Sequence, residues 1–359
     1  MSTKLALNVP ELLHQFIHHL CDSISDLHAC ALVARSWTHP ARCHLYRAPL
    51  YKATPGPDTH HKRRLLQQTF VRSPHLLHHV RQLSFDPKDS YDLCRLAFTR
   101  LDTVVTDHFD LTEANALGVR QILSMPALRS VDLDCNFVQA ETFFRIWEQA
   151  SPTIKVLALA CRHIPPSNSY PTGTPPIPSS SGASRVALDA LELDMFAGVI
   201  GHWLRDPNCP FDLSRLQALS VHWTTNAVFQ WPVLLPALEN IENLRLVGVK
   251  PSLDLSVFPN LKTLHLAGIH INRLVQALSS VAYSQHLHTI RINTVYFPDD
   301  VIEKIQSVLK RGGPQGPFHR LAILELEPML VQAEPVLVMP GVEVRFDKFA
   351  NDEWLHETL

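Results

Sequence analysis

From residue 80 onward one short hydrophobic pattern keeps returning, apolar-x-x-apolar-x-apolar. It occurs at Val80/Leu83/Phe85, Leu128/Val131/Leu133, Ile154/Leu157/Leu159, Leu188/Leu191/Leu193 and Leu216/Leu219/Val221. It continues at Ile241/Leu244/Leu246, Leu261/Leu264/Leu266, Leu287/Ile290/Ile292 and Leu321/Leu324/Leu326, with a poorer copy at Leu101/Val104. Residues two apart on a strand share a face, so each copy predicts a short strand with one apolar side, followed by a segment that returns over it. Thr112 to Ser124, Thr142 to Ala150, Asn272 to Ala282 and Asp299 to Lys310 have the spacing of return helices, the last with acidic residues at its start and Gly312-Gly313 as its stop.

Ten starts between residues 80 and 321 recur at a mean interval near 27 residues, inside the span of roughly 20 to 29 for leucine-rich repeats. The intervals vary from 20 to 34, and the regular asparagines of well-ordered repeats are missing. The expected fold class is therefore α/β: an irregular leucine-rich-repeat solenoid over 80–346, with parallel strands on its concave face and helices or loops on its convex face.

The first fifty residues follow a helical period instead. Asn8 is placed to cap a helix opening at Pro10-Glu11, and Leu12, Leu13, Phe16, Ile17 and Leu20 recur along it. A second helix is expected from Ser25-Asp26, with Leu27, Cys30, Ala31 and Ala34 on one stripe and Leu32, Val33 and Trp37 off it. A unit of about 45 residues encloses too little volume to bury apolar side chains on more than one helix face. Either the rest of the chain or another protein has to cover them.

The run Leu7-x-Val9-Pro10-Glu11-Leu12-Leu13-x-x-Phe16-Ile17-x-x-Leu20, then Leu27-x-x-Cys30-Ala31-Leu32-Val33-Ala34-Arg35-Ser36-Trp37 and Ala41-Arg42-x-x-Leu45-Tyr46-Arg47, resembles an F-box. The resemblance implies a three-helix unit over 5–48 that docks on the Skp adaptor of a cullin-based ubiquitin ligase. Pro10, Glu11, Leu12, Ile17, Leu20, Leu32, Val33 and Trp37 would form or support the docking surface. The sequence departs from the commonest pattern at Val9, where Leu usually precedes the proline, and at Ala34, where Cys often sits. The segment 65–83, with its Ser73-Pro74-His75 turn, is similar to the one that follows the F-box in many fungal F-box-like proteins. Residues 49–79 would serve as linker and connecting helix. The stretch 165–184, with six Pro and six Ser, reads as a loop between repeats, and 347–359 as a cap or tail.

Composition narrows the chemistry. Leucine supplies 52 of 359 residues and glycine 12, well under the roughly 7% glycine of an average protein. The sequence holds no G-x-G-x-x-G, no G-x-x-x-x-G-K-[ST] and no G-x-S-x-G, so phosphate cradles and nucleophile elbows are not expected. Formal net charge is −2, which gives no general pull toward nucleic acid or anionic membrane. Seven scattered cysteines without a C-x-x-C read as reduced thiols of an intracellular protein, cytoplasmic or nuclear. The opening segment does not have the uninterrupted apolar core of a secretory signal.

Twenty-one histidines include the clusters His14/His18/His19, His60/His61 and His75/His78/His79, but none has the spacing of a known zinc motif. Neither metal, cofactor nor catalytic site is expected. The basic run His60-His61-Lys62-Arg63-Arg64 reads as a solvated helix start.

Strand alternation turns the residues between and after the core leucines toward the open face: Asp132, Asp134, Glu192, Asp194, His222, Arg245, His265, Arg291, Asn293, Glu325 and Glu327. Their signs are zoned, as suits a protein partner with complementary zones. Trp223 and Trp231 are further candidate anchors. The expected function is a non-catalytic substrate receptor, joining the Skp adaptor and its cullin ligase to an unidentified protein substrate. The competing reading is a scaffold or regulatory protein whose first helices pack on its own repeats.

Overall fold

The computed structural model describes residues 9–49, 59–86, 89–106, 108–163, 185–194, 204, 209–222, 237–248, 254–269, 271–281, 286–294, 299–310, 318–328 and 342–345. Residue contacts divide the chain into two units, Met1–Ile154 and Lys155–Leu359.

The first unit opens with helices α1 (Pro10–His18), α2 (Ile24–Val33) and α3 (Arg35–Leu45). Asn8 lies outside the described residues, and Val9 holds the N-cap position of α1 without a side-chain bond. Pro10 suits the first turn because an N–H there has no partner within the helix. Helix α2 begins a residue earlier than the sequence suggests, because the Ser23 hydroxyl accepts the Asp26 N–H at 3.4 Å and caps it. One extended residue, Ala34, separates α2 from α3. The Thr38 hydroxyl donates back across that break to the carbonyl of Ala31 at 3.1 Å. Leu13, Ile17, Leu27, Cys30 and Ala41 form a buried core, with Leu20, Ala31, Trp37 and Leu45 packed around it.

Helix α4 (Thr59–Arg72) and a 3₁₀ turn (Pro74–His79) lead into β1 (Gln82–Phe85), α5 (Ser90–Leu93), β2 (Thr103–Thr106) and β3 (Phe109–Leu111). Then come α6 (Glu113–Leu123), β4 (Ser130–Phe137) and α7 (Ala140–Arg145). Strand β2 pairs in parallel with β1 and with β4, and β3 also pairs with β4. Phe70, fully buried, lies between Tyr46 and Phe98 with ring centroids 6.2 and 6.3 Å away, which ties α4 both to the end of the helical unit and to the first strands.

The second unit contains β5 (Val156–His163), β6 (Val186–Ala187), β7 (Ala190–Asp194), β8 (Phe211–Asp212), β9 (Ala218–His222), β10 (Asn243–Val247) and β11 (Thr263–Ala267). Helix α8 (Ile271–Ser280), β12 (Thr289–Thr294), α9 (Asp299–Leu309), β13 (Ile323–Pro328) and β14 (Glu343–Arg345) complete it. Its main sheet runs β5-β7-β9-β10-β11-β12-β13-β14, every neighbouring pair parallel, while β6 and β8 form a small parallel pair of their own. Among the described residues, four strands in the first unit and ten in the second therefore lie in parallel sheet, and the chain is α/β.

Each of the ten sequence copies leads into a strand that begins two residues after its first apolar residue, and that residue is buried. One backbone device accompanies them. A single carbonyl accepts two consecutive N–H groups from the next copy: Gln217 from Glu242 and Asn243, Glu242 from Lys262 and Thr263, Lys262 from His288 and Thr289. The first member of this series belongs to the helical unit, where the Arg47 carbonyl accepts from Arg81 and Gln82. The end of the three-helix unit thus occupies the place of a preceding repeat.

The missing asparagine positions are partly made good. At the position just before the first apolar residue, Asn240 and Asn260 donate to the carbonyls of Ser214 and Glu239, each at 2.7 Å, and Thr153 donates to Leu128 at 2.7 Å. Gly248 and Gly268, at φ +68° and +60°, turn the chain out of β10 and β11 in the left-handed region that glycine tolerates best.

The helix expected over 142–150 is instead the shorter α7, beginning at Ala140 and ending at Arg145. Strand β14 was not anticipated because its copy of the pattern, Gly341-x-x-Val344-x-Phe346, replaces the first apolar residue with glycine. The 165–184 loop, Trp223, Trp231, Gly312-Gly313 and the 347–359 tail lie outside the described residues.

Candidate functional site

On the helical unit, the docking residues expected from sequence divide into surface and support. Leu12 and Phe16, one turn apart on α1, are 48% and 47% exposed, and Leu32 and Val33 at the end of α2 are 87% and 64% exposed. Pro10 and Glu11 are exposed as well. Ile17 is fully buried, and Leu20 and Trp37 pack against the same core, so these three hold the helices together from beneath. Phe16, which was not among the expected docking residues, meets the Trp37 ring edge-on at 5.6 Å. The α2 and α1 apolar side chains left in water are therefore large and clustered by element, a feature that commonly marks a protein contact.

The strand face gives a second arrangement. In the first unit, β4 alternates cleanly, with Val131, Leu133, Cys135 and Phe137 inward and Asp132, Asp134 and Asn136 outward. Asp134 is engaged by His108, Oδ1 to Nδ1 at 2.7 Å, and Asn136 lies 3.0 Å from His108 Nε2 while donating to Asp110 at 2.9 Å.

In the second unit the strand register places Glu192, Ser220, Arg245, His265, Arg291, Glu325 and Arg345 side by side on successive strands. Neighbouring strands lie about 4.8 Å apart, so these long side chains shield one another. Arg245, His265, Asn293 and Glu325 are buried, whereas Glu192, Asp194, His222 and Arg291 are half-buried. Register aligns these residues on one face, and lateral packing closes much of it. The side chain of Glu327 is outside the described set, although its backbone pairs with Asn293.

Charges along this row are largely matched. Glu192 Oε1 lies 2.8 Å from His222 Nε2, and Glu325 lies within ion-pair distance of both Arg291 and Arg345. His265 differs, since neither of its ring nitrogens has a hydrogen-bond partner among the described residues. Burial first, then the charges of Arg245, Arg291 and His222, push its pKa down to about 3, so the ring is neutral at physiological pH. Ser220, fully buried beside Arg245, also has a hydroxyl without a hydrogen-bond partner among the described residues.

Of the histidine clusters, His18 has ring contacts with His19 at 6.3 Å and with His44 at 5.4 Å, and the side chains of His60 and His61 are not described. His79 keeps a ring contact with His78 at 6.0 Å and also meets His39 and Cys43 of α3. The sequence signal for that meeting was the i, i+4 pair His39 and Cys43; its third member lies 36 residues beyond the cysteine and only folding brings it in. Among the described residues, no helix is long and apolar enough to cross a membrane. No family model matches the chain, and no curated protein matches it either.

Proposed function

We propose that the chain is the substrate-recognition subunit of a Skp-cullin-F-box type ubiquitin ligase, with α1 to α3 docking on the Skp adaptor and the parallel-strand array, read as a leucine-rich-repeat solenoid, holding a protein substrate. The observation that carries the reading is the exposure of Leu32 and Val33 on a helical unit whose own core is already complete. Removing a large apolar side chain from water contributes roughly 1.5 to 3 kcal/mol, so Leu12, Phe16, Leu32 and Val33 together supply enough for a stable complex. Within the first unit the described residues leave Leu32 and Val33 uncovered, which favours docking over the scaffold alternative.

The chain itself needs no catalytic group in this role; it brings a bound substrate near the partner that carries ubiquitin. The half-buried Glu192, Asp194, His222 and Arg291 are the charged groups a substrate reaches first, while Arg245, His265 and Glu325 set the field beneath them. Mutating rim charges would chiefly alter encounter and selectivity.

Co-expression with a Skp adaptor followed by gel filtration tests the proposal. A one-to-one complex for the wild type, lost in Leu32→Asp/Val33→Asp, is expected. Separate elution of the wild-type chain and adaptor would overturn it.

A further inference from the structure

We propose that His39 and Cys43 of α3 and His79 of the 3₁₀ turn form a Cys-His₂ site for a divalent transition metal, zinc above all, which clips the helical unit to the turn that leads into β1. The donor atoms have the geometry for it. Cys43 Sγ lies 3.8 Å from His39 Nε2 and 3.5 Å from His79 Nδ1, and all three donors fall within 4.8 Å of one another. Zinc binds thiolate at about 2.3 Å and imidazole at about 2.0 to 2.1 Å in a tetrahedron. Those lengths give a sulfur-to-nitrogen edge of about 3.5 to 3.6 Å. The two measured distances therefore match a coordination tetrahedron with little movement.

The local fold supplies this spacing. His39 and Cys43 are one helical turn apart and face the same way. His79 is the last residue of the 3₁₀ turn, and the Arg47 carbonyl holds the following backbone through Arg81 and Gln82. His39 is exposed and the other two are half-buried, so an ion reaches the donors from solvent. Cys43 and His79 also line a cavity of about 370 Å³ with Arg47, Arg81, Arg100 and Asp102, which leaves room for water at a fourth position.

Binding through the Cys43 thiolate displaces the thiol proton, so each ion bound releases one proton from sulfur. Soft thiolate and borderline imidazole together favour zinc over magnesium or calcium. The arginines around the cavity weaken attraction for a free cation, the Cys43 thiolate offsets part of the bound ion's charge, and the arginines favour an anionic ligand at the open position. A clip between residues 43 and 79 also restrains a long loop, where a cross-link removes the most unfolded-state freedom.

Cobalt(II) and zinc(II) titration of the chelator-treated full chain tests the site. Cobalt should bind at one equivalent and give a near-ultraviolet thiolate-to-metal band with intense visible bands of tetrahedral geometry, displaced by zinc. Cys43→Ser should abolish the near-ultraviolet band. His79→Asn and the exposed, fold-tolerant His39→Gln should weaken zinc by more than the roughly 10- to 100-fold that loss of an outer partner alone costs. Cys21→Ser should leave every signal unchanged. Absence of the thiolate band in the wild type, its persistence in Cys43→Ser, or equal zinc affinity in wild type and His39→Gln would overturn the proposal.

Discussion

Replacing His265 with glutamine isolates the energetic consequence of the buried row. The imidazole is 5% exposed, unbonded at both nitrogens and held between Arg245 and Arg291 by the strand register. In the unfolded chain it titrates near 6.5, whereas in the folded chain its pKa is pushed down to about 3. The unfolded state therefore binds the extra proton between those values, and stability falls as pH drops through about 6.5 toward 3. Each pKa unit corresponds to about 1.36 kcal/mol. At pH 5 the unfolded imidazole is about 1.5 units below its midpoint, so His265 subtracts about 2 kcal/mol relative to pH 7. Glutamine is polar, of similar length and does not titrate. Urea unfolding of both proteins at pH 7 and pH 5 gives a double difference in which every other titrating group cancels. Wild type should lose about 2 kcal/mol more than His265→Gln on acidification. Parallel pH dependence of the two proteins would refute the placement of a neutral imidazole among the arginines.

Further consequences concern individual contacts. Glu325→Gln should destabilise the second unit by about 3 kcal/mol or more in thermal unfolding, because it leaves Arg291 and Arg345 without the buried carboxylate they share. Gly118→Ala should destabilise the first unit by about 1 to 3 kcal/mol despite alanine's better helix propensity, since an added methyl would sit 2.7 Å from the backbone of Ser90 and Tyr91. Ser220→Ala, which removes a buried hydroxyl without a bond, should raise stability by about 1 kcal/mol in urea. Trp37→Ala should lower the stability of the helical unit, whereas Leu32→Asp should leave the unfolding midpoint unchanged because Leu32 already stands in water.

Periodicity made the strands readable because Leu244, Leu246 and their equivalents must all point into one layer, and a two-residue alternation leaves a visible trace. It also identified the face that Arg245, His265 and Glu325 share. It did not reveal that they are buried, since burial there comes from neighbours about 20 to 34 residues away that only the register aligns. The helical unit was legible as amphipathic helices, but the division of labour between exposed Phe16 and half-buried Trp37 depends on a helix crossing with no sequence signature. The His39, Cys43 and His79 group was hidden for the same reason: two of its members are local and the third is brought in by the turn before β1. The double acceptance by the Arg47 carbonyl is wholly a backbone event, which no pattern of side chains encodes.

The central claim is that the first three helices form a docking surface for an adaptor, and isothermal titration of purified Skp adaptor into the full chain measures it directly. One binding site is expected for the wild type. Leu32→Ala should weaken it about 10- to 100-fold, from the roughly 1.5 to 3 kcal/mol of lost apolar burial, and Leu32→Asp/Val33→Asp should remove it while the chain stays folded. No binding by the wild-type chain at tens of micromolar adaptor, or equal affinity for wild type and the double variant, would contradict the account.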